Sequence, residues 1–209
     1  MKKFFVLFFL LISSLISGND CSRLSKEKLI RYSPDGKYYL EIYPDKKAIL
    51  YRKKSARYFA IFRGNFICQT VVFSPNGRFV ACGSWENFAR LYDLQYRKYT
   101  QTFIGHKDWI SCLDFSPNSE LLATGSLDMT AKLWNIRTGK ELQTFVGHSS
   151  YITSVSFSPT GKYLITHAWD GSAKLWNVND AKEIASFTEN DSLFFGINDR
   201  YKIIGKTNK

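Results

Sequence analysis

Residues Phe145 to Asn177 read FVGHSSYITSVSFSPTGKYLITHAWDGSAKLWN. Three marks stand in this stretch: Gly147-His148, Ser158-Pro159 and Leu175-Trp176-Asn177. The stretch ahead of it, Phe103 to Asn135, reads FIGHKDWISCLDFSPNSELLATGSLDMTAKLWN. It carries the same marks 42 residues earlier, at His106, Pro117 and Trp134. A chain that repeats in phase builds its fold from one supersecondary unit, so the repeat decides the architecture ahead of local propensity.

The repeat extends upstream. Ser-Pro pairs begin at Ser33, Ser74, Ser116 and Ser158, in steps of 41, 42 and 42 residues. Each proline is followed 17 residues later by an aromatic: Tyr51, Tyr92, Trp134 and Trp176. Within a unit the apolar residues come in short alternating runs, such as Ile152, Val155 and Phe157, bounded by Gly, Pro, Asn and Asp. Runs of this kind predict strands of about five residues. In Ser33-Pro34-Asp35-Gly36, Ser74-Pro75-Asn76-Gly77 and Ser158-Pro159-Thr160-Gly161 proline presets the first turn dihedral and glycine accepts positive φ.

This pattern resembles the WD-repeat family of β-propellers, whose unit has a period of roughly 40–45 residues and four strands per blade. The family opens its unit on Gly-His and closes it on Trp-Asp. Here the close is Trp-Asn twice and Tyr-Asp once, at Tyr92-Asp93. The resemblance runs from about Leu29 to Gly205 and suggests a short or truncated exported protein of bacterial type. It implies an all-β fold, a partial β-propeller of four blades plus an incomplete fifth, forming an open arc. The blades are expected at about 25–62, 67–103, 109–145 and 151–187, with the partial one at 192–205.

The N-terminus reads as a segment apart. Met1-Lys2-Lys3 precedes an apolar run, Phe4 to Ile16, broken by Ser13 and Ser14, and small or polar residues follow to Asp20. A positive start, a short apolar run and a small-residue exit describe a secretory signal peptide over 1–20, with the propeller segment over 22–209. About 13 apolar residues are short for a membrane span. Cys21 stands where a bacterial lipoprotein carries its acylated cysteine, so membrane attachment is expected only if Cys21 is lipidated. Cys68, Cys82 and Cys112 fall inside predicted strands and have no metal spacing. The sequence proposes no pairing for them.

In the family, a His, a Ser or Thr, an Asp and a Trp form a hydrogen-bonded chain in each blade. The resemblance gives this structural role to His106, Thr124, Asp128 and Trp134, and to His148, Thr166, Asp170 and Trp176. A buried indole, imidazole and carboxylate each need a partner, and each supplies one for the next. The matching set in the second unit is Asn65, Cys82, Glu86 and Tyr92, so that blade should be held less firmly. The resemblance also places a partner-binding face on the loops leading into the inner strands and on the turn before the network acid. Trp85, Lys107, Trp109, Leu127, Tyr151 and Trp169 fall there.

The expected function is a non-catalytic protein–protein interaction scaffold in the cell envelope or outside the cell, with a protein partner and with self-association through the ends of the arc. Two alternatives stay open: a propeller hydrolase or its auxiliary domain, and a truncated propeller without independent function. No catalytic residue, cofactor or metal is expected. The chain has three histidines, two of them in the networks, and the third, His167, is a strand residue, which excludes a histidine-rich metal site. The formal net charge of +11 would suit an anionic partner, but no nucleic-acid motif is present and none is expected as partner.

Overall fold

The computed structural model describes residues 29–43, 48–55, 57–62 and 68–188. The segment read as a signal peptide, Cys21 and the partial fifth blade lie outside the described residues, as does Asn65. The described chain is all-β and forms four antiparallel sheets of four strands, each a meander in sequence order. Blade 1 holds β1 (Leu29–Tyr32), β2 (Tyr38–Ile42), β3 (Ala48–Arg52) and β4 (Arg57–Phe62). Blade 2 holds β5 (Cys68–Phe73), β6 (Phe79–Ser84), β7 (Phe88–Asp93) and β8 (Lys98–Ile104). Blade 3 holds β9 (Ile110–Phe115), β10 (Leu121–Ser126), β11 (Ala131–Asn135) and β12 (Glu141–Phe145). Blade 4 holds β13 (Ile152–Phe157), β14 (Tyr163–Ala168), β15 (Ala173–Asn177) and β16 (Glu183–Phe187). The arc is open.

The Ser-Pro landmark makes the first hairpin of every blade. The serine hydroxyl accepts the backbone N–H five residues on: Ser33 from Tyr38 at 2.9 Å, Ser74 from Phe79 at 2.9 Å, Ser116 from Leu121 at 2.9 Å and Ser158 from Tyr163 at 3.1 Å. The turn then needs a left-handed residue. Gly36, Gly77 and Gly161 take φ of 65°, 69° and 72°. Blade 3 has no glycine there, and Ser119 takes φ of 59° instead. Its hydroxyl accepts the Asn76 N–H of blade 2 at 3.1 Å, a bond between blades that offsets the backbone strain.

The core lies between the blades rather than within one. One cluster joins blades 1 and 2, with Leu40 and Leu50 against Val80 and Leu94. A second joins blades 2 and 3, with Leu91 and Phe103 against Leu122 and Trp134. A third joins blades 3 and 4, with Leu133 and Phe145 against Leu164 and Trp176. Two glycines permit the closest approaches. A Cβ on Gly83 would lie 2.6 Å from Ile110 Cγ2, and one on Gly125 would lie 2.5 Å from Ile152 Cγ2. Each isoleucine heads the inner strand of the following blade and occupies the space of the absent side chain. Aromatic rings repeat the interlock further out: Phe103 meets Trp134 and Phe145 meets Trp176, both at 5.7 Å between centroids.

Candidate functional site

Thr124 sits in mid-β10 and Trp134 in β11, so strand pairing brings their side chains to one face. Trp134 Nε1 donates to Thr124 Oγ1 at 2.9 Å, and the same hydroxyl meets His106 Nε2 at 2.7 Å. His106 Nδ1 meets Asp128 Oδ2 at 2.7 Å. One proton assignment satisfies every atom: the indole donates to the threonine, the threonine to Nε2, and Nδ1–H to the carboxylate. Asp128 also accepts the Lys107 N–H at 2.9 Å and the Thr130 N–H at 2.9 Å. Burial opposes its ionisation, but the bonds from His106, Thr130 and Lys107 outweigh burial and hold it well below the usual carboxylate range.

Blade 4 repeats this clamp with one change. Trp176 Nε1 donates to Thr166 Oγ1 at 2.8 Å, and Thr166 meets His148 Nε2 at 2.7 Å. His148 Nδ1 and Asp170 stand 3.8 Å apart, too far for a hydrogen bond. Ser172 lies between them, 2.8 Å from Nδ1 and donating to Asp170 Oδ1 at 2.6 Å. Asp170 ties the loop ahead of β13 instead, accepting from the backbone and hydroxyl of Ser149, each at 2.9 Å. Bonds from Ser172 and Ser149 outweigh the opposing effect of burial and keep Asp170 well below the usual range. Burial moves His148 below the ordinary imidazole value, against the pull of Asp170. Thr124 and Thr166 are fully buried, so neither hydroxyl faces a substrate.

Blade 2 is joined differently. Cys82 occupies the threonine position and is disulfide-bonded, whereas Cys112 is free and buried. Tyr92, at the tryptophan position, meets Tyr99 edge-on at 5.4 Å. Glu86, at the acid position, is exposed.

The same loops and turns that carry the clamps carry a row of aromatic side chains along one rim of the arc. Leu127 N–H donates to Trp109 O, and Trp169 N–H to Tyr151 O, both at 2.9 Å. These bonds fix each turn beside the loop of its own blade. Between blades, Trp85 stacks on Trp109 at 4.7 Å with 12° between the rings, and Asn87 Nδ2 donates to Lys107 O at 3.2 Å. Trp109 is 42 % exposed, Tyr151 46 % and Trp169 70 %. Lys107 is exposed, while Trp85 and Leu127 are half-buried.

The family profile described as WD domain, G-beta repeat matches residues 58–93, 97–135 and 139–177. The chain belongs to the WD-repeat family. Its WD units are out of step with its blades. The unit 97–135 takes β8 from blade 2 and β9, β10 and β11 from blade 3, and the other two units straddle their blades in the same way. The first three strands of blade 1 precede all three matches, and there the Gly-His is absent.

Some members of these sites were not among the expected residues. Thr130 and Ser172 complete the clamps two residues after the acid, a spacing at which a side-chain carboxylate caps its own turn. Met129 stands on the rim, exposed, with φ of 67°. The equivalent residues are Asn87 and Gly171, types that tolerate this conformation, whereas methionine does not. Two titratable groups lie apart from the clamps. Asp114 on β9 accepts the Phe157 N–H at 2.8 Å, and burial pushes its pKa up to about 7. His167 on β14 holds the position of Gly83 and Gly125, and burial pushes it down to about 4.

Proposed function

We propose that this WD-repeat chain is a non-catalytic scaffold that docks a protein partner on the rim bearing Trp109, Tyr151 and Trp169. The observation that carries the reading is the set of fixed, exposed aromatic rings on that rim. A stack joins the rings of blades 2 and 3, backbone bonds fix the turns beside the loops within blades 3 and 4, and three of the rings remain open to solvent. Rigid, half-exposed tryptophan and tyrosine are the preferred anchors of protein interfaces. Their burial by a partner recovers apolar area at little entropic cost. Met129 adds a second argument, since a strained backbone that holds an apolar side chain outward is retained where it serves contact.

The same proposal places the protein outside the cytoplasm. Residues 1–20 support this by their pattern, and the bond at Cys82 belongs with an oxidising compartment. Fractionation that finds the chain in the cytoplasm, still carrying Phe4 to Ile16, would overturn it.

A photo-crosslinking amino acid placed at Trp169 in the producing cell tests the docking rim, with Leu142 on the outer strand β12 as control. The expected result is a discrete adduct from position 169 and none from 142. Equal adducts from both positions would sink the reading.

A further inference from the structure

The two rims of the arc differ in charge. Among the described residues of blades 2 to 4, the loops and turns on the aromatic rim hold Glu86, Asp108, Asp128 and Asp170 against Lys107. Counting histidines as neutral, these described residues carry a net charge of −3. The connections on the opposite rim of the same blades hold six lysines and arginines against Glu120 and Asp180, a net charge of +4. In a chain of formal charge +11, the aromatic rim is therefore a local acidic exception. The acids are not spare groups awaiting protonation, because bonds from neighbouring N–H and O–H groups hold Asp128 and Asp170 well below the usual range.

We propose that this rim binds an extended cationic segment of a partner protein, rich in arginine or lysine. The inference rests on the docking reading above and gives that partner its chemistry. An ammonium or guanidinium over the face of Trp109, Tyr151 or Trp169 gains cation–π attraction, which strengthens as the partner excludes water. The carboxylates beside those rings supply the charge complement, and an extended segment crosses three blades in the direction that the rings run. The side chain of Met129 adapts to the aliphatic stems of lysine and arginine. Acidic segments meet like charge on this rim and are rejected.

The full chain is titrated with three labelled decapeptides, alternating Arg–Gly, Gln–Gly and Glu–Gly, and followed by anisotropy and tryptophan fluorescence. The Arg–Gly peptide is expected to bind at least tenfold tighter than Gln–Gly, to quench tryptophan, and to weaken as salt rises. Glu86→Lys with Asp108→Lys should weaken it at least tenfold, and Trp169→Ala should weaken it independently. Glu86 and Trp169 are exposed and Asp108 is half-buried, and an unchanged melting curve confirms the fold of each variant. Equal binding of all three peptides, lost in Trp169→Ala, overturns the cationic preference but keeps the docking rim. Arg–Gly binding that ignores both variants places the site elsewhere and overturns the proposal. Absence of binding by any peptide at millimolar concentration overturns both this inference and the docking reading.

Discussion

Replacing Gly125 by alanine tests how the blades hold one another. The glycine lies in β10, paired with Cys112 on one side and Ala131 on the other, so its backbone is fixed. The new methyl would stand 2.5 Å from Ile152 Cγ2 and 2.6 Å from Cys112 Sγ. Both neighbours are buried, so neither can yield by about an ångström without disturbing its own packing. Overpacking of this kind costs about 1–3 kcal/mol. Loss of glycine from the unfolded chain returns about 0.4–1 kcal/mol, leaving a net loss of about 1–2 kcal/mol. Ile152→Ala alone empties a buried site, for about 2–5 kcal/mol. In the double variant the alanine methyl enters part of that space, while its clash with Cys112 persists. The pair should therefore lose about 1 kcal/mol less than the sum of the single losses. Urea denaturation, followed by both far-ultraviolet circular dichroism and tryptophan fluorescence, measures the cycle. Additivity to within about 0.5 kcal/mol would show that the isoleucine does not seat on the glycine, and the interlock would be wrong.

Thr124→Val should cost about 2–5 kcal/mol, because the indole of Trp134 and the imidazole of His106 both lose their partner. Thr124→Ser should cost under about 1.5 kcal/mol, and equal losses would refute the clamp. Two pH effects should oppose each other. Between about 4 and the ordinary 6.5 the unfolded chain protonates His167 and the folded chain does not, so this group loses stability as pH falls. Between the ordinary 3.8 and about 7 the folded chain keeps the proton on Asp114 and the unfolded chain does not, so that group loses stability as pH rises. Asp114→Asn should make urea stability rise with pH across this range and His167→Gln should make it fall; slopes of the same sign would be wrong. Peptide mapping should find Cys82 in a disulfide and Cys112 as a free thiol. Reduction should then cost about 2–4 kcal/mol, and an unchanged melting point would refute the role. Sedimentation should find self-association through the outer face of blade 1, where Tyr32 is 60 % exposed and stands beside Tyr39. A stable monomer across micromolar concentrations, or association unaffected by Tyr32→Lys, would exclude it.

The hairpins can be read from spacing, while the four strands of each described unit and the clamp in blade 3 follow from the resemblance to the WD-repeat family. A Ser-Pro turn, a strand and an aromatic at a fixed distance are local facts, and local facts are written along the chain. Contacts across a joint are not. That Gly83 is a seat for Ile110 depends on the angle between two sheets, and no period in one sequence states that angle. Blade 1 shows the limit, for Ile42 holds the position of Gly83 and is buried against blade 2 all the same. The substitution of Ser172 for a direct His148–Asp170 bond was hidden for another reason. Threonine and serine at that position are near equivalents in sequence, yet in blade 3 Thr130 leaves His106 to Asp128, and in blade 4 Ser172 comes between the pair. Likewise the resemblance implies one rim for the aromatic positions, but not that Trp85 stacks on Trp109.

Because each WD unit straddles two blades, the unit is a joint more than a blade. Phe103 and Trp134 lie in one unit and in different blades, and their contact closes the joint from within. The rim adds the opposite kind of link. Trp85 and Trp109 lie in different units and different blades, so their stack crosses both boundaries. A partner lying along the rim therefore touches residues whose relative placement exists only while the joints are closed. On the proposed docking it would bind the chain with its joints closed and not with them parted, and at a concentration of 100 times Kd it would add about 2.7 kcal/mol to the stability of that state. Docking as proposed and arc stability would then be one equilibrium. A variant that loosens a joint, such as Gly125→Ala, should weaken the partner without touching it, and a bound partner should restore part of the stability that the variant removes.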